Sequence, residues 1–82
     1  MAYEIDVASV RGELEALPRP ALVALAEVLA VLEVSPWSGE PLVDRNPGGA
    51  VRTMAFGVAG LVTYVVVEQF GRVDLLQVHW AG

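Results

Sequence analysis

A two-layer α+β domain is the fold class this chain predicts: an N-terminal strand, a helical hairpin, then a three-stranded antiparallel meander that joins the strand in one sheet. Three observations carry it. Apolar residues recur at helical spacing in two consecutive segments, the first closed by Pro18 and the second by Ser35-Pro36. The last third of the chain consists of three strand-like apolar runs parted by glycine turns. With 82 residues, the chain buries only about 60–65% of its unfolded surface, which one core uses up, so residues 1–82 form a single domain.

The first element is the alternation Tyr3-Glu4-Ile5-Asp6-Val7, read as a short strand. The period then changes. Val10, Leu14 and Leu17 fall on one helical face, with Arg11, Glu13 and Glu15 turned away; Asp6 or Ser9 is placed to supply the N-cap oxygen, and Pro18 stops the helix. Glu13 and Glu15 diverge by about 200° around the helix and make no carboxylate pair, so both are solvated. Pro20 suits the first turn of a second helix that runs to Val34. On it Ala21, Leu25, Val28, Leu29 and Leu32 share one arc, and Glu27 lies nearly opposite. Val23, Ala26 and Ala30 fall on the far side with Glu27 and Glu33. That far side is either a solvated face with a few small apolar residues or a face covered by a second subunit or partner.

Residues 35–49 hold three prolines and three glycines and read as an irregular connection, with a short extended piece at Leu42-Val43 and Trp37 folded back onto the core. Strands are expected over residues 50–56, 61–69 and 72–80, joined by the short turns at 57–60 and 70–71. The middle run, Leu61-Val62-Thr63-Tyr64-Val65-Val66-Val67, is apolar on both faces and is expected at the centre of the sheet. The sheet face that no helix covers must be solvated, oligomeric or a ligand platform.

Composition narrows the function. The apolar share of 55% exceeds, and the charged share of 18% falls below, what soluble domains usually carry, so apolar surface is left for a partner. Ten acids stand against five arginines, and the net charge of −5 repels nucleic acid, whose binding normally begins with a basic patch. Without cysteine and with one histidine, no metal and no cofactor are expected. The apolar stretch at 21–34 is interrupted by Glu27 and Glu33 and is too short to span a bilayer, so no membrane role is expected. No basic segment precedes an apolar stretch at the N-terminus, so no secretory signal is expected and the cytoplasm is the expected location. No serine has a partnered histidine motif, and Gly48-Gly49 precedes a strand and not a helix, which excludes triad and phosphate-loop chemistry.

Together with this layout, certain short motifs run in a telling order: Met1-Ala2-Tyr3, then Val28-Leu29 with Leu32-Glu33 and Ser35-Pro36, Gly39-Glu40-Pro41-Leu42, Gly60-Leu61-Val62-Thr63-Tyr64, and finally Val78-His79. In this order they resemble the RelE/ParE superfamily of type II toxin–antitoxin toxins, over nearly the whole chain. The resemblance implies a bacterial toxin fold, an activity of cutting messenger RNA on the ribosome or inhibiting gyrase, and an antitoxin that wraps the toxin to silence it. In the RNA-cutting members the sheet carries basic residues and a late tyrosine. Attack by a 2′-hydroxyl needs a base, cations for the charge growing on the phosphoryl oxygens, and an acid for the leaving group. Carried over by position, Arg52 alone falls where a basic residue is expected; Met54, Leu61 and Ala81 stand at the others, and the late tyrosine would fall beyond Gly82. Losing one such cation commonly costs ~10²–10³ in rate.

Arg52, Tyr64 and His79 are the side chains of catalytic type on the meander. Arg52 is either a residual phosphate contact or a solvated strand arginine paired with a carboxylate such as Glu68 or Asp74. Tyr64, flanked by Val62 and Val66, is expected in the core with its hydroxyl at the sheet edge. His79 is expected half-buried at a strand end. The sequence therefore points to a degenerate RelE/ParE-like domain, not an enzyme, that binds an antitoxin-like protein or forms a homodimer through helix 2 and the sheet edge. The alternative is an active toxin, an mRNA endoribonuclease or gyrase inhibitor, that uses Arg52 and His79 in an unfamiliar arrangement.

Overall fold

Two helices lie on one face of a five-stranded mixed sheet in the computed structural model, which describes residues 2–82. Met1 of the first-strand motif lies outside the described residues. The chain runs through β1 (Glu4–Asp6), α1 (Arg11–Ala16), α2 (Arg19–Val34), β2 (Glu40–Pro41), β3 (Val51–Phe56), β4 (Gly60–Val67) and β5 (Arg72–Trp80). The sheet order is β1-β5-β4-β3-β2, so the α+β expectation and the central place of β4 both hold.

Local chemistry explains the elements. Asp6 turns the chain out of β1: its Oδ1 accepts the Ala8 N–H at 2.9 Å, and a 3₁₀ turn over Ala8–Val10 leads into α1. The expected single helix from Val10 to Leu17 is thus a 3₁₀ turn followed by six α-helical residues, and Ser9 does not cap it. Pro18 fixes the N-cap of α2 in extended geometry and Pro20 occupies the first turn. The Ser35 N–H closes the helix on the Val31 carbonyl at 2.8 Å.

Register assigns the faces. Residues paired across neighbouring strands share a side of the sheet, and Phe56, Val62, Tyr64, Val66, Val73, Leu75 and Val78 meet Val10, Ala21, Leu25 and Leu32 from the helices in one buried core. Val73 and Leu75 are odd-numbered whereas Val78 is even, so alternation must break between them. It does: Thr63 pairs with Gln77 and Tyr64 with Leu75, which leaves Leu76 as the extra residue of a β-bulge. After the bulge Trp80 can stack on Phe56, with ring centroids 5.7 Å apart.

Along β4, Val62, Tyr64 and Val66 point into the core, whereas Leu61 is 42% exposed on the open side. Two expectations need correcting. The extended piece of the long connection is Glu40–Pro41, paired with Thr53 and Arg52 of β3, and not Leu42-Val43. Glu68 and Gln69 leave the strand for a 3₁₀ turn that ends at Gly71, whose φ of 57° is a left-handed conformation open to glycine. β1 closes the far edge by pairing in parallel with β5, Ile5 beside Val73.

The two faces of α2 should respond differently to truncation. Leu25→Ala, in the core at 2% exposure, is expected to cost roughly 2–4 kcal/mol, whereas Val23→Ala, 56% exposed, is expected to change stability by under about 0.5 kcal/mol in dilute solution. Urea denaturation midpoints of the two variants check this.

Candidate functional site

Arg52 and Tyr64 stand directly opposite each other in the β3–β4 ladder and on the same, inner face. The Tyr64 ring is fully buried. Its hydroxyl donates to the Pro36 carbonyl at 2.7 Å and accepts the Gly39 N–H at 3.1 Å. The hydroxyl is thus enclosed beneath the connection after α2 and not, as expected, at an open sheet edge. Burial raises the Tyr64 pKa above the usual phenol value, opposed by the hydrogen bond from Gly39 and the positive charge of Arg52.

Arg52 is 7% exposed and reaches the same connection. Its Nε donates to the Gly49 carbonyl at 3.1 Å, Nη1 to Gly39 at 2.8 Å and more weakly to Trp37 at 3.4 Å, and Nη2 to Pro47 at 2.6 Å. The Trp37 ring covers the guanidinium, 4.9 Å from centroid to Cζ. Trp37 itself remains 40% exposed, so it is a lid on Arg52 and not the core anchor that was expected. Gly39 is confined between these groups: a Cβ there would overlap the Tyr64 hydroxyl and lie 2.6 Å from the Thr53 carbonyl.

The expected pairing of Arg52 with Glu68 or Asp74 is therefore corrected. Both carboxylates are engaged elsewhere: Glu68 accepts the Tyr3 hydroxyl at 2.6 and 2.8 Å, and Asp74 holds Arg72 through contacts of 2.6 and 3.1 Å. The hydrogen bond to Glu68 is also the main reason the Tyr3 pKa is raised. Neither pair announces itself in the sequence, since Tyr3 and Glu68 are 65 positions apart.

The remaining candidates lie elsewhere. His79 is exposed on the outer face, opposite Leu61. Arg52 faces the helices and the connection, so the sheet stands between them and no substrate atom touches both. Met54 pairs with Val62 on the inner face and packs against the core; Leu61 lies on the outer face; Ala81 follows β5, its N–H bonded to the Ala59 carbonyl at 2.9 Å. The positions at which the resemblance expects basic residues are thus spread over both sides of the sheet. The outer face presents Val51, Val65 and Val67 beside the acids Glu4, Asp6 and Asp74, with Leu61 set apart from them by the row Thr53, Thr63 and Gln77. Arg72, the guanidinium on that face, is tied to Asp74.

A cleft of about 260 Å³ opens beside Tyr3, Glu68 and Gly71, below the usual 300–1,000 Å³ of ligand pockets. Among the described residues, no three of the histidine and carboxylate side chains come together as metal ligands, and no helix is long and apolar enough to cross a membrane.

No protein-family model matches the chain, and no curated protein matches it by sequence. Solved structures do match its fold. The RelBE2 toxin–antitoxin complex of Mycobacterium tuberculosis superposes with a TM-score of 0.80 at 20% identity, over 98% of this chain and 92% of that one. The free E. coli toxin RelE, in a double arginine-to-alanine mutant, also gives 0.80, at 19% identity over 99% and 85% of the two chains. The archaeal RelE–RelB complex of Pyrococcus horikoshii OT3 gives 0.66, at 18% identity over 100% and 98%. The protein has the RelE-like toxin fold.

Removing either half of the buried clamp should destabilise the fold. Tyr64→Phe strands the Gly39 N–H and the Pro36 carbonyl and is expected to cost about 1–3 kcal/mol; Arg52→Ala, which orphans several carbonyls, about 3 kcal/mol or more. Both are read from urea midpoints. Above pH ~10 the unfolded chain releases the Tyr64 proton that the folded state retains, so the unfolded state binds fewer protons and stability falls as pH rises. Part of that alkaline fall is expected to disappear in Tyr64→Phe.

Proposed function

We propose that this chain is a RelE-like toxin-family domain that works in the cytoplasm through protein–protein interaction, without nuclease activity, with an antitoxin-like protein or a second copy of itself as partner. One observation carries the proposal. Arg52, the only basic residue at a position where the resemblance expects one, spends its guanidinium on four backbone carbonyls beneath Trp37. A phosphoryl group in flight needs cations aimed at it from a site it can enter. Here the guanidinium is enclosed, Arg72 is neutralised by Asp74, and the open sheet face is acidic along one side.

Support for a protein partner is of a different kind. Two of the solved structures that share this fold are toxin–antitoxin complexes. The chain also leaves Leu22, Val23, Val34, Leu61 and Leu76 between 40% and 71% exposed, apolar area that a partner would cover. The competing activity, RNA cleavage by Arg52 with His79, would need both groups at one phosphate, and they lie on opposite faces of the sheet.

Induced expression of the chain in bacteria is expected to leave growth unchanged, and the purified protein to leave messenger RNA intact in a translating extract. Growth arrest with RNA cleavage, both abolished by His79→Ala, would overturn the proposal in favour of the active toxin.

A further inference from the structure

The outward face of α2 carries a pattern that the fold itself does not use. At 100° per residue, Arg19, Leu22, Val23, Ala30 and Glu33 all fall within about 60° of Ala26, which lies about 100–140° around the helix from the buried Ala21, Leu25 and Leu32. Every one of them is exposed. Arg19 and Glu33 make no ion pair within the described residues, where Arg72–Asp74 is the one pair formed. The seam is thus apolar and small at its centre, cationic at one end and anionic at the other.

We infer that this face is a homodimer seam in which two copies of α2 pack antiparallel about a two-fold axis at Ala26. This deepens the protein-interaction reading and rests on it. The charges select both the occupant and the direction. Arg19 and Glu33 lie seven residues to either side of Ala26, about 10 Å along the axis each way. An antiparallel two-fold pairing therefore sets Arg19 beside the partner's Glu33 twice, once at each end. A parallel pairing would set like charges together at both ends.

Size follows the same symmetry. Leu22 and Ala30 are each four residues from Ala26, so a large side chain meets a small one on both sides of the axis. At the axis alanine meets alanine, which lets the helices approach to the close end of the usual 8–10 Å. Glu27, about 100° from Ala26 around the helix, stays at the solvated flank. One helix face per subunit belongs with small interfaces, below ~1,200 Å² in total, so the dimer is expected to dissociate on dilution.

Sedimentation velocity over a wide concentration series tests the seam. The wild-type mass is expected to rise from that of the 8.7 kDa chain towards twice that value. Ala26→Arg should remain monomeric at every concentration. Arg19→Glu should weaken the dimer tenfold or more, and Arg19→Glu combined with Glu33→Arg should bring it back to within about threefold of wild type. All these positions are exposed, and far-ultraviolet circular dichroism confirms that each variant keeps its helices. A wild-type chain that stays monomeric, an Ala26→Arg variant that dimerises like wild type, or a charge swap that fails to recover would each overturn the seam. A monomeric wild type would leave the absence of nuclease and toxicity to be judged by the growth and RNA assays, so the two proposals fail separately.

Discussion

Fifteen residues of irregular chain, from Ser35 to Gly49, must be laid against a small sheet without leaving their inward carbonyls unpaired, and Arg52 meets that constraint. An isolated buried charge is among the costliest things a fold can hold, and an unpaired buried carbonyl is costly too. Here each offsets the other: four of the guanidinium's five N–H donors go to Trp37, Gly39, Pro47 and Gly49, and no carboxylate is needed beside it. Tyr64 adds Pro36 and Gly39 from the central strand. The end of α2, the β2 edge and the lid Trp37 all depend on this one polar cluster. Gly39 is the position through which both side chains act, and no other residue leaves the room they need.

This use of Arg52 has a consequence for chemistry. A RelE-like sheet offers its strands as a scaffold, and the fold alone does not decide what they carry. In this chain the inner face is spent on packing and on holding the connection, and the outer face combines Val51, Val65 and Val67 with Glu4, Asp6 and Asp74. Such a surface suits a protein partner better than a phosphate backbone. The outward side of α2 gives a second apolar surface, patterned by Arg19 and Glu33. Further exposed apolar side chains, Trp37, Leu42, Val43, Val58 and Phe70, lie in the connections and turns.

Much of the architecture could be read from local signals because its causes are local. Prolines 18, 20 and 36 bound α2 through their own backbone geometry, and Ala21, Leu25 and Leu32 mark its buried side through a period that needs no knowledge of the partner surface. The bulge at Leu76 also had a trace, in the switch from Val73 and Leu75 to Val78 and Trp80, although simple alternation passes over it. The candidate site was less legible. Arg52 and Tyr64 stand out in the sequence as side chains of catalytic type, but an arginine among strand residues looks solvated unless the carbonyls that receive it are known. Those carbonyls belong to a loop whose sequence shows only prolines and glycines.

By itself, the sequence determined the order of the elements, the single core, the inward face of each helix and the poverty of cations on the meander. These follow from periodicity, chain-breaking residues and composition, which act over a few positions. The tertiary structure alone decided that β1 lies parallel to β5, that the Leu61 side of β4 is open, that Trp37 covers Arg52, and that Arg52 and His79 are on opposite faces. Strand alternation tells which residues share a side; which side is covered, and whether a charge there is enclosed by carbonyls or left to water, depends on chain segments that meet only when the domain folds.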